Sequence, residues 1–118
     1  MKKYKVIKER VSEFPNSITV KKDTKVECIE FSNSEGEWAG WVLCRTHNNE
    51  GWLPHQILSI NESMGLVIED YCAEEFDLKF GEILYTDKEI NGWIWCYKRS
   101  DPGKYAWAPL NHIECIEQ

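Results

Sequence analysis

Long apolar runs are missing from this chain of 118 residues, and so is any excess of positive charge. Its opening stretch, MKKYKVIKERVSEF, is basic but holds no apolar run of signal-peptide length, and no later segment approaches the roughly 20 apolar residues of a spanning helix. A cytoplasmic protein with no membrane partner is the expectation. Lys and Arg number 14 against 20 Asp and Glu, a formal charge of −6. Nucleic acid is therefore excluded as the main ligand, because nonspecific binding to it rests on cationic neutralisation of phosphates. The cysteines, Cys28, Cys44, Cys72, Cys96 and Cys115, form an odd set with no close pairs, which suits reduced thiols rather than a disulfide framework. A Gly-rich phosphate loop and a nucleophile elbow are both lacking. Cys44 and His47 have metal-like spacing, but one half-site does not hold a zinc ion. No enzyme, cofactor or metal is expected.

What the chain does contain is a repeat. GWLPHQIL at 51 to 58 is matched by AWAPLNHI at 106 to 113, each with a small residue, Trp, an aliphatic or small residue, Pro and a closing aliphatic. Upstream, WVLC at 41 parallels WIWC at 93, SITVKKDTKV at 17 parallels EFDLKFGEIL at 75, and KVIKE at 5 parallels LVIED at 66. The offsets run 61, 58, 52 and 55 in chain order, so the register holds inside each matched segment and changes between them. Loops tolerate such changes, whereas a slip inside a strand would turn buried side chains outward. The matched segments therefore read as strands. Val26 and Cys28, Val42 and Cys44, Leu84 and Thr86, Ile94 and Cys96 alternate as inward positions. HNNEG at 47 to 51 and DPG at 101 to 103 read as hairpin turns, with SNSEGE and EING marking the preceding loops. The reading is all-β, two tandem five-stranded barrels over 1–60 and 61–118, separated only by NESMG and hence in close contact.

These segments resemble the Src homology 3 (SH3) domain, twice over. LVIEDY, EFDLKFGEIL, GWIWC and AWAPLNHI follow one another in the second copy as the first-strand, second-strand, third-strand Trp and closing Pro motifs do in that family. SITVKKDTKV, GWVLC and GWLPHQIL do so in the first. The resemblance implies a non-enzymatic protein-binding or peptide-binding module whose aromatic groove takes a polyproline helix, with an acidic loop selecting a basic residue. Carried over residue by residue, the second copy supplies Tyr71, Trp93, Pro109 and His112 as the contact floor, and Glu74, Glu75 and Asp77 as the rim. The first copy supplies Trp41 and Pro54, with Ile57 where the family has a tyrosine.

The residues themselves add detail. Trp41 and Trp93 alternate away from the inward positions, so each must lie on a ligand, on the other domain or in water. Trp95 shares the outward face of Trp93, and Trp107 joins from the neighbouring strand. The loop EDYCAEEFD at 69 to 77 is read as one electronegative rim. Division at residue 60 gives 9 basic and 8 acidic residues in the first half, and 5 basic and 12 acidic in the second. The second half is thus expected to be the binder of a basic, proline-containing peptide. The rival expectations are a structural protein whose two grooves occlude each other, and binding of cell-wall peptide, as exported bacterial relatives of the fold do.

Overall fold

A computed structural model describes residues 1–12, 17–32 and 39–117, and its backbone gathers into two compact units. Helical structure among the described residues is confined to two 3₁₀ turns, His55–Ile57 and Leu110–His112, each entered from a proline. The first strand, β1 (Lys2–Val6), does not join the strands that follow it. Those are β2 (Thr19–Val20), β3 (Lys25–Phe31), β4 (Trp41–Arg45), β5 (Glu50–Pro54), β6 (Leu58–Asn61), β7 (Met64–Val67) and β8 (Tyr71–Cys72). They make the unit of residues 16–73, with sheet order β5-β4-β3-β7-β6 and β2 paired to β8. β1 instead joins β9 (Ile83–Ile90), β10 (Trp93–Lys98), β11 (Asp101–Pro109) and β12 (Ile113–Glu117) in the order β11-β10-β9-β1-β12. That second unit holds residues 1–15 and 74–118.

The two five-stranded sheets have the same topology, strand for strand, as the repeat requires. The division at residue 60 is nevertheless not the division in space. β1 lies between β9 and β12, pairing Tyr4 with Leu84 and Val6 with Ile113, while β7 lies between β3 and β6. Each copy has given its first strand to the other. The cause is the connection between β6 and β7: Asn61 pairs with Met64, so only Glu62 and Ser63 intervene, with Glu62 at φ 59°. Two residues suffice for a hairpin and not for a crossover, so β7 folds back on β6 and fills the place next to it. The unit of residues 74–118 is left without a first strand, and β1 supplies one.

Alternation is as the sequence reads it. Val26, Val42, Cys44, Leu53, Leu84, Ile94 and Cys96 are all within 1% of full burial, and Thr86 is the one buried polar side chain among the described residues. Thr86 is satisfied by donating its hydroxyl to the Trp95 carbonyl at 2.6 Å. Tyr4, Val6, Phe76, Leu78, Leu84, Ile94, Cys96, Ala106, Ala108 and Ile113 form the core of the 1–15 and 74–118 unit. Leu53 points in and Trp52 is half-buried on the other face, with Pro54 ending β5.

Two turn assignments divide. Residues 46 to 49 do turn between β4 and β5, held by the Thr46 amide donating to the Asn49 carbonyl at 2.8 Å. DPG does not: Asp101 already opens β11, and a register shift beside Lys98 takes up the residues after it. Pro102 cannot donate to a ladder and is accommodated at such an irregularity rather than at the hairpin tip. Between β9 and β10, Asn91 and Gly92 both have positive φ, 50° and 86°, the requirement of a tight two-residue hairpin. The loop SNSEGE lies mostly outside the described residues.

Candidate functional site

Strand exchange redistributes the expected site. Tyr71 is built into the 16–73 unit, where Val20 pairs with it across β2 and β8, and it is 7% exposed. In that unit stand Trp41 and Pro54, paired directly across β4 and β5, with Ile57 buried in the turn beyond. Trp93, Pro109 and His112 belong to the other unit, together with Glu74, Glu75 and Asp77. Tyr71 and Trp93 are therefore carried by different units. The acidic loop is divided as well: Asp70 accepts from the Lys22 amide at 2.7 Å in one unit, while Glu74 begins the other.

The charge balance changes with it. The 1–15 and 74–118 unit carries 10 basic and 11 acidic residues, a net −1, and the 16–73 unit carries 4 basic and 9 acidic, a net −5. The half expected to be strongly electronegative is close to neutral, because residues 1–15 bring it five cations against two acids and residues 61–73 take three acids away.

One of those cations completes the site. Trp93 pairs with Pro109 across β10 and β11, on the face opposite to Ile94 and Ala108. The expectation that Trp93 points outward holds, yet the side chain is only 8% exposed. Arg10 lies over its indole, with the guanidinium carbon 5.1 Å from the ring centroid. The same guanidinium donates from Nη2 to Glu75 Oε1 at 2.6 Å, and both side chains are largely buried. Backbone pairing fixes its position: the Arg10 amide donates to the Leu78 carbonyl at 3.1 Å, and the Leu78 amide donates back at 2.8 Å. The repeat offset of 61 makes Arg10 the counterpart of Tyr71, so a guanidinium stands where the other copy has a phenol.

The rest of the rim is engaged within the same unit. Glu74 pairs with Lys104 at 3.1 Å, and Asp77 accepts from the Ser12 amide at 2.7 Å. Glu75 also forms an isolated bridge with Trp107, which lays the rim along β11. The His112 carbonyl accepts from the Ile7 and Lys8 amides at 2.9 and 3.2 Å. The His112 imidazole is held below its ordinary pKa, first by burial and then by the nearby charges of Arg10 and Lys8. Protons are thus bound less readily in the folded state, and the stability contributed by neutral His112 is present above the unfolded-state pKa and lost as pH falls from there through the lower folded-state value. Replacing Arg10 with Gln removes one of the two positive charges, so His112 is expected to titrate at higher pH than in the natural chain, read from its imidazole proton shifts.

An aromatic strip continues from Trp93 and Pro109 along the same face. Trp95 lies 5.2 Å from Trp107 and 6.1 Å from Tyr105, and Tyr97 lies 5.3 Å from Tyr105 and 5.4 Å from Tyr85, all between ring centroids. The Trp95 and Trp107 pairing follows from alternation; the tyrosines extend it because Tyr85, Tyr97 and Tyr105 share one cross-strand row. In the other unit, Trp41 is also 8% exposed, and its Nε1 is buried without a hydrogen-bond acceptor among the described residues.

The two fully buried thiols, Cys44 and Cys96, are poor nucleophile candidates. Burial pushes both Cys44 and Cys96 up to about 12, so each is protonated at neutral pH. No group of three or more His, Cys, Asp or Glu gathers as a metal site among the described residues.

A pair of like five-stranded sheets, each with a Trp facing a Pro beside a 3₁₀ turn, defines an SH3-like protein-interaction module. The sequence profile of the variant SH3 domain matches residues 3–61, half of the chain, and the chain belongs to that family. The matched segment is one copy in sequence, and the structure divides it after residue 15. A comparison with curated proteins found no match.

Proposed function

We propose that the protein binds an extended peptide of proline and basic character, and that the unit of residues 1–15 and 74–118 is the binder. The observation that carries this reading is the guanidinium of Arg10 held between the Trp93 ring and the Glu75 carboxylate. A cation is favoured by an aromatic face and by a charge-assisted hydrogen bond, and both groups are aimed at one point. A ligand Lys or Arg calls for the same pair. Pro109, beside Trp93, and the half-buried His112 extend the floor for prolines, with Glu74 and Asp77 flanking Glu75. Polyproline helices dock such aromatic and proline surfaces at low entropic cost because they are preformed. The 16–73 unit, with Tyr71, Trp41 and Pro54, offers a second floor without a cation over its Trp among the described residues.

Titration of the labelled full chain with proline-rich peptides containing one Arg tests this. Amide and indole signals of Glu75, Trp93, Leu110 and His112 should shift together and saturate. Shifts confined to residues 16–73 would assign binding to the other unit instead. The burial of Trp41 and Trp93 also favours a second reading, a structural protein that takes no peptide, and an unperturbed spectrum throughout would support that one.

A further inference from the structure

Arg10 occupies the position that a ligand's basic residue would need. We propose that it is a built-in competitor: the chain plugs its own cation pocket, and a basic peptide binds by displacing the Arg10 side chain from Glu75 and Trp93. This rests on the peptide-binding reading above and adds its regulation.

Three features of the contact support displacement rather than a permanent strut. Arg10 meets Glu75 through one nitrogen, Nη2, at 2.6 Å, and its Nε is buried with no acceptor among the described residues. A guanidinium can give a carboxylate two parallel hydrogen bonds, and a buried donor left unmet weakens the hold on it. An incoming Arg, free to choose its approach, can make the fork that Arg10's backbone anchor prevents. That anchor is the second feature: the pairing of Arg10 with Leu78 does not involve the side chain, so the side chain can leave while β1 stays in the sheet. The third is the electrostatic setting. Glu74 and Asp77 are engaged by Lys104 and by the Ser12 amide, so Glu75 is the rim carboxylate committed to Arg10. Removing the Arg10 charge frees that carboxylate for a ligand.

The experiment compares the full chain with its Arg10→Gln variant, using two proline-rich peptides that differ only in Arg against citrulline, its neutral isostere. Arg10→Gln is expected to bind the Arg peptide about tenfold more tightly than the natural chain, which corresponds to a pocket open about one-tenth of the time. The citrulline peptide should bind both proteins alike. Equal or weaker binding of the Arg peptide by Arg10→Gln overturns the competitor while leaving peptide binding in place. Absence of any peptide-induced shift at Trp93 in either protein overturns peptide binding by this unit, and the competitor with it.

A second measurement stands even where Arg10→Gln is poorly folded. In Arg10→Ala, millimolar ethylguanidinium should raise the thermal midpoint and shift the Trp93 indole signal, ethylurea should do neither, and the added Glu75→Gln change should abolish the rescue. Equal effects of the charged and neutral probes would show that the pocket has no preference for a cation, and would sink the proposal.

Discussion

Deleting residues 1 to 6 is expected to unfold the unit that contains residues 74–118 while leaving residues 16–73 folded. A sequence split at residue 60 predicts the reverse. β1 is an interior strand of the second sheet, between β9 and β12, and it brings Tyr4 and Val6 into the core at 6% and 0% exposure. Removing it deprives two neighbours of their backbone partners and opens a core that no other described strand can close. At about 25 cal/mol per Å² of apolar surface, two such side chains are worth several kcal/mol, a large part of the 5–15 kcal/mol that holds a small domain together. The 16–73 unit draws its first-strand position from β7 and should keep its exchange-protected amides. Hydrogen exchange resolved by residue decides the matter: protection lost in β3 and β4 rather than in β9 to β12 would mean that β1 belongs to the first copy.

The second large effect concerns which strand fits which sheet. The offset of 61 makes Tyr4 and Gly65 counterparts, and both face inward. A Cβ placed on Gly65 would come 3.1 Å from the Cys28 sulfur and 3.2 Å from Val26 Cγ2. The space beside β3 therefore has no room for a side chain as large as the tyrosine ring that β1 carries. Gly65→Tyr is expected to destabilise the 16–73 unit by more than the roughly 1–3 kcal/mol usual for overpacking. Tyr4→Ala should destabilise the other unit by about 3–5 kcal/mol, as truncation of a large buried aromatic does. Denaturant melts followed by signals specific to each unit measure both. If Gly65→Tyr proved neutral, packing would not choose between β1 and β7, and the two-residue turn alone would set the exchange.

The all-β class, the repeat and the inward positions were legible because period-two alternation is a local property of each segment. Val42, Cys44, Ile94 and Cys96 could be oriented from their neighbours alone. The exchange was not legible by alignment, since two copies of a strand look alike wherever they pair. It was implicit in NESMG: the last strand of one copy and the first of the next, antiparallel neighbours in this topology, are too close in sequence to separate. Arg10 is unremarked in KVIKERV as a first-strand residue of its own copy, and becomes the occupant of the Glu75 and Trp93 pocket only once β1 changes unit. For the same reason sequence order groups Tyr71 with Trp93, although β8 carries it into the unit of Trp41.

The crossing of the two first strands also sets an order in time. Residues 16–73 are contiguous, so that unit can complete its sheet as soon as β7 and β8 are available. β1 must wait for β12, whose pairing joins Lys3 to Glu117 across nearly the whole chain. Closing so long a loop is slow relative to local hairpins, because its entropy is lost before the contacts are gained. During synthesis residues 2 to 6 are therefore left waiting while residues 16–73 complete their sheet, and they find their own neighbours only once β12 has been made.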